Sequence, residues 1–578
     1  MRSTRSSSPS TSTSTLPSAR LRAQPATPSV CACSRAAQRK PTPCTVPVTI
    51  ALLRITRPLC SCLNGPVSSP ADRAASVAAL RSDLTAAGFT VAALTELWGE
   101  EAAEALHRGQ RVPAERALAR REPSALGTLA TLFVLGRPQP VAAADNALPS
   151  LGIDGARELG LLRVADGTAS PSVDLRPYAF VDVLGAAEWW IVSDLGELAL
   201  GHALPEDHVL GVGGASMTLS GLMLQRPART ALDLGTGCGI QALHARRHAE
   251  RVVATDISER ALELAALNAD LNDVDGIEFR LGSMFEPVAG ERFDHIVSNP
   301  PFVITPRTDG VPAYEYRDGG MVGDALVAAF VAGCGEHLEP GGVAQLLGNW
   351  EYHGYADALE RVRGWIDASA VPLDAWVVER DTEDAPGYAE TWIRDGGTKP
   401  GTDAFDRLLA AWLDDFDARD VRQVGFGYLL LRRSEGAPTL RRFERIHGSL
   451  GANEAGLGVA LDAALAAHDL QVALDDGGLA TLRLAVAGDV TEERHLWPGA
   501  DAPTAILLRQ GGGFGRTVSA DTGLAALVGA SDGELSVGAI VAALAQLLEV
   551  DEGALLADLL PAVRGMLVDG LLIVPAQD

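Results

Sequence analysis

Three short stretches of this chain carry residue types at spacings that could do chemistry. The first is ALDLGTGCGIQAL at 231–243, where an apolar run reaches Asp233 and glycines follow at 235, 237 and 239 ahead of a helical pattern. Glycine lets a backbone turn through positive φ and pass close to a ligand. In doubly wound sheets, ligands sit at the carboxyl ends of the strands. The spacing is G-x-G-x-G, not the dinucleotide G-x-G-x-x-G, and no G-K-[ST] follows, which excludes a phosphate-binding Walker loop. The second stretch, RVVATDI, ends an apolar run at Asp256, where a carboxylate suits two hydrogen bonds to ribose hydroxyls. Ser258 then stands as N-cap of the next helix. Taken alone, this pair of motifs also fits a tight turn or NAD binding.

The third stretch, FDHIVSNPPF at 293–302, narrows the choice. Tandem prolines make a stiff, extended backbone with no N–H at Pro300 or Pro301. What is left is acceptor: the Asn299 side-chain oxygen and the Pro300 carbonyl. Two acceptors converging on one point suit an NH₂ group on a planar system, turned toward an electrophilic methyl. Phe302 is placed to stack on a flat base or amide. An ordinary strand end needs no such pair, and Pro-Pro inside a core strand is improbable.

These residues need a sheet to hold them. Between 230 and 350 the pattern alternates strand and helix, with strands expected at 230–235, 251–257, 277–282, 293–299 and 342–349. Alternation of this kind builds a doubly wound parallel sheet, which runs 374–380 and 424–433 could close as an edge pair. Before it, 71–148 reads as short amphipathic helices, with Leu126, Leu129, Leu132 and Phe133 on one helical face as core. Short strands follow (GLLRV, VDLRPYAF, EWWIVSDL), the order of a small winged-helix-like module. After 435 another α/β segment ends in a helical pair at 537–548 and 553–568 and a last strand, GLLIVP.

The combination resembles the class I S-adenosylmethionine methyltransferases of the N-P-P-[FY] group, over about 205–435. Within that group it is most similar to the HemK/PrmC-type protein-glutamine methyltransferases and their eukaryotic and archaeal relatives. The residues carrying the likeness are DLGTGCG, the helix ALELAALNADLN, GSMFEP at 282–287, and YRDGG at 316–320 ahead of LEPGG. The resemblance implies a seven-stranded Rossmann-like sheet and S-adenosyl-L-methionine as cofactor. It also implies that the glycines line the methionine part, Asp256 holds the ribose and Asn299 holds the substrate amino group. Ser283 stands where many relatives have an acid facing the adenine amine. The candidate cofactor set is Asp233, Gly235, Thr236, Gly237, Gly239, Asp256, Ile257, Ser283, Met284 and Asn299. The candidate catalytic set is Asn299, Pro300 and Phe302, with no metal.

Other features carry less. Cys238 lies in the glycine loop, but no base is recognisable beside it. GGGFGR at 511–516 lacks a Lys-Ser/Thr partner and reads as a hairpin turn. Arg432, Arg433, Arg441, Arg442 and Arg445 make a basic density that either contacts RNA or belongs to surface elements. The last 90 residues faintly resemble small winged-helix modules.

Composition bounds the whole. The 578 residues are 47% hydrophobic and 21% charged, with net charge −26, which argues against coating nucleic acid by bulk electrostatics. No run of 18 or more apolar residues occurs, so no helical membrane span is expected. Residues 1–66 differ: nine basic residues, no acid, and many Ser, Thr and Pro, so that 67–578 carry −35. Such a segment is expected not to fold. It is read first as sequence upstream of a start near Val67 and second as a transit peptide. Five of the seven cysteines lie in it, leaving Cys238 and Cys334 to the body, which is cytosolic usage.

The expected organisation is therefore a tail at 1–66, a helical, winged-helix-like module at 67–204, a methyltransferase domain at 205–435 and a C-terminal α/β module at 436–578. The expected function is cytoplasmic N-methylation of a protein glutamine, with a translation factor as the candidate substrate. Methylation of an exocyclic amine of adenine or guanine in RNA or DNA, and a non-catalytic cofactor-binding scaffold, are the alternatives.

Overall fold

The computed structural model describes residues 70–201, 204–314 and 316–575; the tail expected over 1–66 lies outside them. Its centre is one mixed sheet of eight strands: β1 (Ala228–Leu234), β2 (Ala249–Asp256), β3 (Ile277–Leu281), β4 (Phe293–Ser298), β5 (Leu338–His353), β6 (Leu373–Asp384), β7 (Val421–Arg433) and β8 (Arg441–Arg445). Across the sheet they stand in the order β8-β6-β7-β5-β4-β1-β2-β3. The block from β3 to β5 is parallel, and β7 runs antiparallel to both of its neighbours.

The central strands β1, β2, β4 and β5 are buried along most of their length because helices cover both faces, as parallel sheets require. Alternation still sorts the side chains. Ala231, Val252 and Ala254 pack with Ala242 and Ala245 of helix α1 (Ile240–Arg246). Their neighbours Leu232, Leu234 and Val253 point the other way, into a core shared with Phe330 and Val331 of α3 (Ala325–Cys334) and Val362 of α4 (Ala358–Asp367). Between α1 and α3 in the chain, α2 (Glu259–Leu271) follows β2.

The expectation of seven strands needs correcting. The stretch Arg441–Arg445, read as a basic surface, is an eighth strand, parallel to β6 with Phe443 opposite Val377. The pattern hid it because only Phe443 of its five residues is apolar. The sheet thus runs beyond residue 435.

Ahead of the sheet, short helices from Pro70 lead to small strands and a hairpin, Val173–Asp182 with Gly185–Asp194. Leu129, Leu132 and Phe133 are fully buried. The core of these helices is continuous with Ile240 and Leu243 of α1 and Leu264, Leu267 and Leu271 of α2. After the sheet, α5 (Gly458–Ala473) lays Leu461 and Leu465 against Trp376 and Leu430. The final segment has its own core, with helices Val537–Leu548 and Glu552–Asp569 packed together close to the expected limits. GGGFGR forms the turn between strands Ala505–Gln510 and Thr517–Ala520, as its composition indicates. Among the described residues, no single helix is long and apolar enough to cross a membrane; Ala71–Ala86 and Val91–Trp98 pass that test only as a pair bent by 47°.

Candidate active site

The strand order reverses between β1 and β4, so a crevice opens at their carboxyl ends. There the glycine loop and the Asn-Pro-Pro-Phe segment leave adjacent strands. Asp233 is in register with Val297, and Ser298 Oγ donates to Leu234 O at 2.7 Å, tying the two strand ends together.

The loop is built by its glycines and by two carboxylates. Gly235, Gly237 and Gly239 have φ of 76°, 55° and 86°, where side chains other than glycine are strained. A Cβ on Gly235 or Gly237 would meet nothing within 4 Å, so their faces are open to a ligand. Gly239 differs: a Cβ there would lie 2.9 Å from Ala265 Cβ of α2, so this glycine serves helix packing. Thr236 is likewise turned inward, its hydroxyl donating to Asp233 Oδ2 at 2.5 Å. Asp233 is fully buried, and burial pushes its carboxyl up to about 7; its Oδ1 has no hydrogen-bond partner.

Asp256 does two jobs. Its Oδ2 accepts from Gly237 N and its Oδ1 from Ser258 N, both at 2.9 Å, so the carboxylate braces the loop and the start of α2. Each oxygen keeps a lone pair for a ligand hydroxyl. Burial raises its pKa, against the lowering by these backbone donors. Ser258 caps α2 by accepting from Ala261 N, as its position indicated. Ile257 is 58% exposed and Leu281, at the end of β3, is 45% exposed, two apolar side chains at neighbouring strand ends. Ser283 is exposed beside them, while Met284, at φ 50°, is half-buried against the core. Cys238 is buried and its thiol is pushed up to about 11 by burial, the opposite of an activated nucleophile.

At the end of β4, Asn299 Oδ1 is buried and has no hydrogen-bond partner. The segment after it is held from behind. Asn349 Nδ2, on β5, donates to Phe302 O at 2.7 Å, and Tyr388 OH accepts from Ile304 N at 2.9 Å. The YRDGG segment lies alongside: Val303 N donates to Arg317 O, and Phe302 bridges Asp318. Arg317 is pinned by Trp392 O and Asp395, and the Trp392 ring meets Phe302 edge-on at 6.4 Å. Pro300 is buried and Phe302 half-buried, so the predicted catalytic set is gathered at one place.

The basic density is not a free surface. Arg432 pairs with Asp374 and Asp469, Arg441 with Asp367, Arg442 with Asp569, and Arg445 with Asp357 and Glu379. Arg433 donates to Leu338 O. The sequence reasoning saw these arginines without their carboxylates, which lie far away along the chain. It also missed Asn268 of α2, fully buried with three hydrogen bonds. Two amides one helical turn apart, Asn268 and Asn272, in an otherwise apolar helix pattern were the available signal. Among the described residues, no group of three or more His, Cys, Asp or Glu is placed to hold a metal ion. A cavity of about 430 Å³ lined by Tyr178, Phe180 and His244 lies beyond the C-terminal end of α1, at the helix end opposite the glycine loop, and is separate from this site.

Comparison with known proteins agrees with the geometry. Residues 212–370 match the family described as "Methyltransferase small domain", and residues 86–172 match "Domain of unknown function (DUF7059)". The release factor glutamine methyltransferase of Xylella fastidiosa (strain Temecula1) is 40% identical over 132 residues, 21% of this chain and 48% of that protein. The ribosomal protein uL3 glutamine methyltransferase of Bradyrhizobium diazoefficiens is 31% identical over 214 residues, 35% of this chain and 59% of that protein. The match thus spans about half the length of these curated relatives. Residues 212–370, which carry the glycine loop, Asp256 and Asn299, are thus the part of this chain that matches the methyltransferase small domain family.

Proposed function

We propose that this chain is an S-adenosylmethionine-dependent N-methyltransferase acting on the side-chain amide of a protein glutamine. The observation that carries the proposal is Asn299 Oδ1, a buried acceptor without a donor at the crevice where β1 and β4 part. Buried acceptors are rarely left unpaired, and an amide NH₂ is the group this one fits.

The crevice also fits the cofactor. Gly235 and Gly237 leave space for its chain, and Asp256 has acceptor capacity for ribose hydroxyls. Ile257 and Leu281 offer apolar contact to a base, and Asp233 Oδ1 is a spare acceptor for an ammonium. Bound there, S-adenosylmethionine would supply an electrophilic methyl on a sulfonium. The residues of the chain do the rest. Asn299 Oδ1 and Pro300 O accept the two N–H groups of the substrate amide and aim its nitrogen. Asn349 and Tyr388 keep the segment in place, and the Phe302–Trp392 wall excludes water. Positioning of this kind carries a large share of the barrier in a bimolecular transfer.

The named activities of the relatives, on a release factor and on ribosomal protein uL3, support a protein glutamine as acceptor. Nucleobase methylation has no comparable support, since the arginines that suggested it are committed to partners within the chain. The test is transfer of tritiated methyl from S-adenosylmethionine into cell-extract fractions by the full chain. Label that survives RNase, is lost on protease treatment and is recovered as N5-methylglutamine is the expected result. RNase-sensitive label, or a carbon- or oxygen-methyl product, refutes it.

A further inference from the structure

The outer edge of the hairpin strand Gly185–Asp194 is closed by side chains. Trp190 N donates to Asn272 Oδ1 at 2.8 Å, and Asn272 Nδ2 donates back to Trp190 O at 2.7 Å. Two residues on, Val192 N donates to Asn268 Oδ1 at 2.7 Å, and Asn268 Nδ2 donates to Val192 O at 2.9 Å. The spacing is geometric: four helical residues rise about 6 Å and two strand residues about 6.8 Å. Two amides one helical turn apart therefore match alternate residues of a strand edge. One end of α2 thus acts as a short neighbouring strand for the N-terminal hairpin.

Asn272 Nδ2 also donates to Asn268 O at 2.8 Å within the helix end, and of the two amides Asn268 alone reaches the glycine loop. Asn268 Nδ2 also donates to Cys238 O in the glycine loop, at 2.9 Å. Two carbonyls, Val192 O and Cys238 O, are served only by the NH₂ end of the amide, which fixes its orientation. Asn268 is fully buried, so no water replaces either bond. The loop carbonyl it holds lies between Gly237 and Gly239, both at positive φ, in backbone with little stiffness of its own.

We propose that Asn268 is a positioning residue for the cofactor loop, holding Cys238 O with an amide that is itself anchored on the N-terminal hairpin. The inference rests on the reading of the glycine loop as the S-adenosylmethionine site. Asn268 itself touches the loop backbone and the hairpin, not the ligand.

Asn268 and Asn272 supply their own control. Full-length wild type, Asn268→Ala, Asn268→Asp and Asn272→Ala are titrated with S-adenosylhomocysteine by calorimetry and melted in its absence. Both alanine variants lose the hairpin bonds and are expected to melt lower. Asn268→Ala also frees a buried loop carbonyl, and is expected to weaken S-adenosylhomocysteine binding by about tenfold or more. Asn272→Ala is expected to leave affinity within about twofold, below the change expected from one lost hydrogen bond. Asn268→Asp keeps the acceptor for Val192 N and loses both donations. It carries the same comparison at unchanged shape if the alanine variant fails to fold. Affinity unchanged in the Asn268 variants, or reduced equally in Asn272→Ala, overturns the inference. Wild type that does not bind S-adenosylhomocysteine overturns the site reading itself, and the inference with it.

Discussion

Removing the Asp256 carboxylate tests two tasks at once, the bracing of the loop and the proposed hold on the ligand. Its oxygens accept from Gly237 N and Ser258 N at 2.9 Å, and a carboxylate oxygen has capacity for a second donor. Asp256→Ala therefore takes away both the ligand acceptors and the brace of the loop. Hydrogen bonds to a charged acceptor are worth about 1.5–3 kcal/mol, so binding of S-adenosylhomocysteine is expected to weaken roughly ten- to a hundredfold. Leaving the Gly237 N–H unpaired costs about 1–3 kcal/mol more. At roughly 2–4 °C per kcal/mol for a domain of about 200 residues, that second loss shows as a melting shift of several degrees. Asp256→Asn keeps one acceptor oxygen but turns an NH₂ group toward one of the backbone donors, so it is expected to fall between wild type and alanine in both measurements. Calorimetric titration with S-adenosylhomocysteine and a thermal melt of the free protein read the two losses separately. A lowered melting temperature with unchanged affinity would leave Asp256 as a brace and remove it from the ligand. No change in either would refute both roles.

Asn299→Ala is expected to abolish methyl transfer while leaving S-adenosylhomocysteine affinity near wild type, because its unpaired oxygen is proposed to meet the substrate amide; near-normal turnover of tritiated methyl would refute this. Asn299→Asp, which keeps an acceptor at the same reach, should retain more transfer than the alanine variant. The Asp233 carboxyl is pushed up to about 7 in the fold by burial, from an ordinary value near 4, so its contribution to stability is full below pH 4 and lost as pH rises through 7. Melting temperature plotted against pH for Asp233→Asn minus wild type should accordingly rise between pH 4 and 7, and a flat difference would place the buried carboxyl outside this titration. Arg442→Ala removes the ion pair from β8 to Asp569 of the last long helix, and with it the pair to Glu444 within β8. It should lower the melting temperature and speed proteolysis near 569, with no change in RNA retention on a filter; lost RNA binding would restore the basic density as a surface.

What could be read from the sequence was what local chemistry determines. Glycines at 235, 237 and 239 foretold a loop at positive φ, and Ser258 foretold a cap, because both act within a few residues. The near-continuous apolar runs of β1, β2 and β4 foretold a sheet covered on both faces. Strand β8 escaped because a strand of four polar residues has no apolar period to detect; its place is set by partners, Arg442 on Asp569 and Arg445 on Glu379. The same blindness left RNA contact open as a reading of the paired arginines. Charge patterns along a chain show where cations are, not what answers them across a fold.

The glycine loop makes the same point at closer range. From sequence, every residue of DLGTGCG is a ligand candidate. In the fold, Gly235 and Gly237 face open space, Gly239 makes room for Ala265, and the Thr236 hydroxyl is spent on Asp233. The loop is therefore part open face and part joint, and it is held by groups outside the motif: Thr255 O accepting from Gly235 N and Thr236 N, Asp256 accepting from Gly237 N, and Asn268 donating to Cys238 O. A loop of three positive-φ glycines has little stiffness of its own, and its shape comes from those three holders. Two of them stand on β2, the strand beside β1. The third, Asn268, is anchored on the N-terminal hairpin through Val192 while it holds Cys238 O.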